Sequence, residues 1–382
     1  MFKTGMPVSG DEFIDRKKHL PEFKAYMDSN QSIMIKAPRR FGKTSIVKHL
    51  LEDKEEYHFI YIDINISSNL YSLANKIINK AYGLTGIENF LHQAKTSAYE
   101  LFAKLSNLSF DIGPHVKTTM DFAQDKNIDE VEYYLHALEL LNTIAVKKNI
   151  NVKCALDEFQ DILKIANKDI LSKTRSIIQH HTNVTYIFLG SIESIMGEIF
   201  ENKTSPFFHF VKVMQLKPLD TDELLEYAQD YFTKRQVEFE NLKDYIKFLG
   251  GHPDYSMQFL QKIYINNLAF KIKKYTHEHL KNLLIEVIYD NISYIDELIN
   301  KAKQKKHHLD VLISMAKNEK INIDGKTLYN VRMSLENMGL IRNISQGRYE
   351  IVDLFLKMVL RQEDKSKINL DGFLQIENKV SR

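Results

Sequence analysis

Apolar positions along this chain keep two rhythms, and the alternation between them predicts the architecture. Short runs rich in β-branched and aromatic residues occur at Ile33 to Ile35, His58 to Ile64, Val152 to Leu156, Val184 to Ser191 and Val211 to Leu216, each about the length of a buried strand. Between them the spacing turns helical: Ile46, Val47, Leu50 and Leu51, then Leu70 to Tyr82, Asn89 to Leu105 and Val131 to Lys147. In the last of these, Leu135, Leu138, Leu140, Leu141 and Ile144 gather mostly on one side. Strands separated by helices predict an α/β fold with a parallel five-stranded sheet whose ligand edge lies at the strands' carboxyl ends. Two stretches interrupt the scheme. Phe13, Leu20, Phe23 and Met27 predict one helix face ahead of the first strand, and residues 109–123, with strand-like pieces around a Gly-Pro turn, predict a small hairpin or insertion.

Pro218 stops regular structure, and the pattern beyond it changes character. Asp220, Thr221, Asp222 and Glu223 suit a helix start, and the chain then reads as almost entirely helical to about Asn300. One break falls at Leu249 to Pro253, where two glycines permit a tight turn and Pro253 blocks helix until the next run begins. Leu309 to Leu360 reads helix, turn, helix, two strands, helix, with Leu328, Val331, Leu335 and Met338 on one apolar face and Gln346-Gly347 as a hairpin turn. That order is a winged helix.

The chemistry concentrates at two strand ends. After Ile33 to Ile35 comes Ala37, Pro38, Arg39, Arg40, Phe41, Gly42, Lys43, Thr44 and Ser45, which fits the phosphate-loop pattern with Ala37 in place of its first glycine. A strand-to-helix turn aims unpaired N–H groups and the positive end of the helix dipole at one point, which suits a polyphosphate. Gly42 lets the backbone come close, Lys43 would reach the β- and γ-phosphates, and the Thr44 hydroxyl would ligate Mg²⁺. The plainer alternative is a basic turn that solvates a helix start. At the end of the Val152 run stand Asp157 and Glu158. Asp157 would hold Mg²⁺ through water, and Glu158 would polarise the attacking water as general base. Ser191, at the end of a third buried run, is a candidate γ-phosphate sensor, although an ordinary turn explains it almost as well. Asp63 would orient Mg²⁺ water or, as the favoured reading, cap the segment after its strand; Phe13, Ile14 and Arg16 are candidate purine contacts or simple packing residues.

Composition narrows the setting. The chain has 382 residues, 44% hydrophobic and 27% charged, enough for two or three domains with real cores. No apolar run is long enough to span a bilayer and the start lacks the apolar core of a signal peptide, so no membrane partner and a cytoplasmic location are expected. The single cysteine, Cys154, excludes an intramolecular disulfide and lies in an apolar strand, where core packing is its expected role. Net charge is only +2, but Lys301 to Arg361 holds 12 Lys or Arg against 6 Asp or Glu. That basic excess falls on the winged-helix pattern. Its second helix would present Lys326, Tyr329, Asn330 and Arg332 to a major groove, with Arg342 and Arg348 on the wing touching phosphates of double-stranded DNA. A solvated surface or a protein-docking wing would carry the same charge.

Taken in order, IMIKAPRRFGKTS, CALDEFQD, IFLGS, SPFFHFVKVMQLKPL, LGGHP and the terminal winged helix resemble the prokaryotic and archaeal ATPase-domain proteins of the AAA-like STAND group. The resemblance spans roughly residues 5 to 361. It implies an ATP-binding P-loop core over 1–218, a helical lid over 219–300 and a winged-helix domain over 301–362, leaving 363–382 as a polar tail with one short apolar patch. It implies Lys43 and Thr44 on phosphates and Mg²⁺, Asp157 and Glu158 on metal and water, Ser191 as sensor, and Pro253 near the adenine. One departure stands out. Such proteins often carry an arginine shortly before the fifth strand, where this chain has only His209 and Lys212 as stand-ins. Slow turnover is therefore expected, since a missing arginine costs about 10³ to 10⁵ in rate; Arg39, Arg40 or Arg175 are possible substitutes. Three functions are compatible with the pattern: an ATPase that switches conformation between ATP and ADP, a DNA-binding regulator with ATP as allosteric ligand, and a scaffold that binds ATP without hydrolysis. A homo-oligomer and a further protein partner fit each of them.

Overall fold

The computed structural model describes residues 2, 4, 5, 16, 20–51, 55–84, 129–345, 347–363 and 367–370. Phe13 and Ile14, the expected helix at 89–105 and the expected hairpin at 109–123 lie outside these residues. Among the described residues, strands β1 (Ile33–Lys36), β2 (His58–Asp63), β3 (Val152–Asp157), β4 (Val184–Gly190) and β5 (Lys212–Gln215) form one sheet in the order β2-β3-β4-β1-β5. Every pairing in it is parallel. The five apolar runs of the sequence are therefore the five strands.

Strand side chains alternate between two faces, and each face has its own helices. Ile33, Ile35, Ala155, Ile187 and Leu189 pack with Phe23 and Met27 of α1 (Leu20–Asp28) and with Ile46, Val47 and Leu51 of α2 (Lys43–Leu51). Met34, Cys154, Leu156, Tyr186 and Phe188 pack on the opposite face with α3 (Leu70–Gly83) and α4 (Glu130–Lys147). The same face takes α5 (Ile162–Ile165), α6 (Asp169–Ile178) and α7 (Glu193–Phe200). Cys154 is buried there as a packing residue, and burial pushes its thiol up to about 12. Lys153 breaks the apolar run of β3 without exposing it. Its ammonium donates to Met27 O at 2.8 Å, Asn30 Oδ1 at 2.6 Å and Thr185 Oγ1 at 3.1 Å, so a buried cation secures the carboxyl end of α1.

Among the described residues the first helix, α1, begins at Leu20, and Arg16 ahead of it sits at φ 84°, outside helical backbone. At Leu249 to Pro253 the structure corrects the sequence reading: Pro253 opens α10 (Pro253–Phe270) as its first residue, where its missing N–H costs nothing. His252 caps that helix by accepting from Tyr255 N. Gly251 is at φ 69°, and a Cβ there would lie 2.0 Å from Leu219 O, so only glycine fits.

After β5 the chain forms α8 (Thr221–Thr233), α9 (Leu242–Phe248), α10, α11 (His277–Asp290) and α12 (Ile292–Lys303). A parallel two-residue ladder, β6 (Glu238–Phe239) with β7 (Lys274–Tyr275), ties α8 to α11. Then come α13 (His308–Lys317), α14 (Gly325–Asn337), an antiparallel pair β8 (Ile341–Ser345) and β9 (Arg348–Ile351), and α15 (Leu354–Arg361). One continuous buried cluster runs from Leu224 to Leu370 and takes in Phe2. Ile368 and Leu370, the apolar patch after α15, are part of it.

Candidate functional site

β1 ends at Lys36 and the chain turns through Ala37 to Gly42 before α2 begins at Lys43. Arg40 and Gly42 both take positive φ, at 64° and 80°, which curls the loop between β1 and α2. Lys43 is 6% exposed, and its ammonium donates to Ala37 O at 3.0 Å and Pro38 O at 2.9 Å, folding back across the loop.

Opposite the loop, β3 ends at Asp157. Thr44 Oγ1 donates to Asp157 Oδ2 at 2.9 Å, and Tyr61 OH donates to the same oxygen at 2.5 Å. Glu158 comes next at φ 52°, a left-handed residue that reverses the alternation of the strand. This turn brings both carboxylates to one rim, and the wholly buried Phe159 pins it, stacked edge-on against Phe188 at 4.6 Å. Glu158 Oε2 accepts from Ser191 Oγ at 2.7 Å, Ser191 N at 3.2 Å and Gln160 Nε2 at 2.5 Å. Burial alone would raise its pKa, but these donors and the Lys43 charge outweigh burial and hold it below the usual glutamate value. Gly190 makes room: a Cβ there would meet Met196 at 2.4 Å and Gln160 Oε1 at 2.5 Å. Asp63 pairs in register with Asp157, accepts from Asn65 N at 2.9 Å and caps the turn after β2. Its carboxyl is raised, mainly by burial and also by Asp157 and Glu158.

A cleft of about 820 Å³ opens between this edge of the sheet and α10. Arg39 to Ser45, Asp157 and Glu158 form one wall, and Pro253, Met257, Gln261 and Ile265 form the other. Thr4 Oγ1 donates to Gln261 Oε1 at 3.0 Å, which brings Thr4 and Gly5 to the rim. The spacing of four from Pro253 to Ile265 was visible in the sequence, yet it is also what a packing face looks like. Arg16 is 3% exposed and acts as a brace: its guanidinium donates to Phe41 O at 2.8 Å and to Lys217 O. Arg40 reaches away from the loop. It donates to Asn291 Oδ1 at 3.0 Å, approaches Asp254 Oδ2 at 3.3 Å and lies 4.3 Å over the Tyr294 ring. Phe41 meets His252 edge-on at 4.9 Å, His252 stacks on Tyr255 at 4.1 Å, and Tyr255 stacks on Phe355 of α15 at 3.7 Å.

Lys43, Thr44, Asp157, Glu158 and Ser191 thus come together, with Pro253 across the cleft. His209 and Lys212 do not line it. Lys212 pairs in register with Ile33, at the amino edge of the sheet. Arg175 lies 4.1 Å over the Phe210 ring, on the α6 side. On α14, Lys326, Tyr329 and Asn330 are exposed, Tyr329 at 60%. Arg332 lies 5.1 Å over the Tyr349 ring, Arg342 pairs with Glu350, and Arg348 is exposed. The far end of α14 is docked: Ser194 Oγ donates to Glu336 O at 3.0 Å and Lys305 Nζ to Ser334 Oγ at 3.0 Å.

A parallel five-stranded sheet with a glycine–lysine–threonine loop after an inner strand and an acid pair at the end of β3 defines a P-loop NTPase fold. The chain belongs to the family of ATPase domains found predominantly in Archaea, whose model matches residues 13–259. It is 20% identical over 325 residues to an uncharacterized ATP-binding protein of Methanocaldococcus jannaschii, covering 81% of this chain and 83% of that one. In structure it is similar to a Walker-type ATPase of Pyrococcus abyssi, with a TM-score of 0.66 at 16% identity over 94% of this chain and 99% of the other. Among the described residues no helix is long and apolar enough to cross a membrane.

Proposed function

We propose that this chain is an ATP-hydrolysing switch. The observation that carries the reading is the meeting of Thr44 and Asp157 at 2.9 Å in a cleft that Lys43 and the rest of the loop from Arg39 to Ser45 also line. A hydroxyl and a carboxylate oxygen at that separation are hard-oxygen donors of the kind Mg²⁺ takes together with phosphates. Mg²⁺, when bound there, would neutralise charge on the β- and γ-phosphates. Lys43 would exchange its two loop carbonyls for phosphate oxygens. Glu158 would accept a proton from water as that water's oxygen bonds to the γ-phosphorus; the bond to the β-phosphate oxygen breaks, giving ADP and inorganic phosphate. Its depressed pKa keeps it ionised at neutral pH, and Ser191 orients it.

In this reading residues 219–300 act as a lid and 301–362 as a winged-helix domain. Two connections support a coupling of nucleotide state to their position. Arg40 leaves the loop to hold Asp254, Asn291 and Tyr294, and Phe41 begins the ring stack through His252 and Tyr255 to Phe355. A ligand that draws the loop inward pulls on both. Small-angle scattering of the full chain with ADP and with a non-hydrolysable ATP analogue tests this: two distinct profiles that merge in Arg40→Ala support it, and identical profiles in the wild-type chain count against it. Among the described residues the stretch just before β5 brings no arginine to the cleft, which Arg39 and Arg40 of the loop do line; in this reading a neighbouring copy supplies the missing arginine, and turnover of the isolated chain is slow.

A second reading, a DNA-binding regulator, is favoured by the exposure of Lys326, Tyr329 and Asn330 on the undocked half of α14. Duplex binding across a salt series decides it. Real phosphate contacts weaken with a slope of about 0.9 per contact, and no binding at low salt removes this reading.

A further inference from the structure

A second cavity, about 190 Å³, lies behind the acid pair. It shares Arg39 and Glu158 with the nucleotide cleft, so those two side chains partition one space from the other. Its volume is far above the roughly 10–15 Å³ that a single water needs. Lys164 of α5 and Lys301 of α12 line it with Arg39, and Ser191 and the turn Met338–Leu340 close it. Three cations converge here from three separate parts of the chain. Lys164 pairs with Asp161 at 2.8 Å, and Lys301 donates to Met338 O at 3.1 Å. Among the described residues no carboxylate forms a salt bridge with Arg39 or Lys301. Burial, then the Lys164 and Arg39 charges, depress the Lys301 ammonium below its usual value against the opposing pull of Glu297 and Asp161. Glu158, Asp161 and Asp353 line the cavity as well; with Asp161 taken by Lys164 and Asp353 accepting from Tyr255 OH at 2.6 Å, Arg39 and Lys301 are the cations left to attract an anion.

Building on the reading of the cleft as an ATPase site, we propose that this cavity receives the inorganic phosphate released past Glu158, held by Arg39, Lys164 and Lys301. The cleft side of the partition is where the γ-phosphate would be cleaved, and the hydrogen-bonded group Glu158–Ser191–Gln160 forms the boundary it crosses. The walls give the site a consequence. Tyr294, Leu298 and Lys301 belong to α12, and Met338 to Leu340 join α14 to β8, so a phosphate lodged here touches the core, the helical region and the C-terminal segment at once. Its departure, rather than cleavage, would then release the C-terminal segment.

The test uses the full chain loaded with ADP and Mg²⁺. Inorganic phosphate is titrated calorimetrically into wild type, the double variant Lys164→Gln/Lys301→Gln, and Lys301→Arg. The expected result is phosphate affinity at least tenfold weaker in the double variant, retained in Lys301→Arg, with ADP affinity unchanged in all three. A single-turnover arm separates product from bulk phosphate: the lag between cleavage by acid quench and release to a fluorescent phosphate sensor shortens at least threefold in the double variant. Nucleotide binding and cleavage with phosphate affinity and lag equal in wild type and double variant overturn this proposal alone. Failure of wild type to bind ADP overturns the ATPase reading and this proposal with it.

Discussion

Thr44 and Asp157, 113 residues apart in sequence, are joined by a 2.9 Å hydrogen bond from hydroxyl to carboxylate. The bond fixes where the loop stands relative to the end of β3, and Tyr61 shares the same carboxylate oxygen from β2. Three strands' worth of chain are therefore registered on one atom. If a cation took the Thr44 hydroxyl as a ligand, Tyr61 OH on Oδ2 and Glu158 N on Oδ1, at 2.9 Å, would be the donors left to orient Asp157.

Tyr61→Phe tests that role. The ring still packs, but Asp157 loses a donor, and partners behind a metal ligand are worth about 10- to 100-fold in metal affinity. The Mg²⁺ concentration giving half-maximal ATPase should rise by about tenfold with ATP affinity at saturating Mg²⁺ unchanged. An unaltered Mg²⁺ titration would assign Tyr61 to packing.

Ser191→Ala removes two things: a hydroxyl donor to Glu158 and the restraint on its rotamer. That donor is among the causes holding the Glu158 carboxyl low, so its loss raises the pKa. A general base works only when ionised, so the acid limb of the kcat profile moves to higher pH. A conservative Ser191→Thr should return the limb toward its original position. A profile identical to wild type in the alanine variant contradicts the assignment.

Gly251→Ala should be among the costliest small changes in the chain. The methyl would overlap Leu219 O at 2.0 Å on a backbone at φ 69°, and strain of this kind costs of order 1–3 kcal/mol before any shift of the chain. Because Leu219 N also donates to Gly251 O at 2.8 Å, the damage falls on the junction between β5 and α10. A lowered midpoint in thermal unfolding is expected; an unchanged one contradicts the packing described.

Acid should loosen the same junction. Burial, aided by the Arg40 charge, pushes the His252 pKa down to about 3, against 6.5 when unfolded. Between those values the unfolded chain holds a proton that the folded chain lacks, so stability falls as pH drops from 6.5 toward 3 and levels off below. His181, pushed down to about 4 mainly by burial, adds a slope of the same sign. Denaturant titrations of His252→Asn should retain the His181 part and lose the rest; an undiminished slope would place the effect elsewhere.

How much of the site was legible beforehand depends on where the information sits. The loop from Ala37 to Ser45 and the pair Asp157–Glu158 announce themselves because each stands where an apolar run stops, and strand ends are where a parallel sheet binds ligands. Asp220 to Glu223 marked a helix start for a similar local reason, and Asp220 does cap α8. Tyr61 was hidden, since its role depends on β2 lying beside β3. Arg40's partners, Asn291 and Tyr294, were hidden more deeply, because about 250 residues of folding intervene. Arg16 read equally as a purine contact or a packing residue, and nothing local reveals that it braces Phe41 to Lys217. The positive φ at Glu158 was equally invisible, since glutamate does not advertise left-handed backbone as glycine does.

The central claim is that the loop and the acid pair serve one bound triphosphate, and two variants measured side by side test it most directly. Lys43→Ala should lose ATP binding by at least about tenfold, because it deletes the charge-assisted contacts to phosphate. Glu158→Gln should bind ATP as wild type does while kcat falls roughly 10²- to 10⁴-fold, the span a general base supplies. Full ATP binding and turnover in both variants would contradict the account.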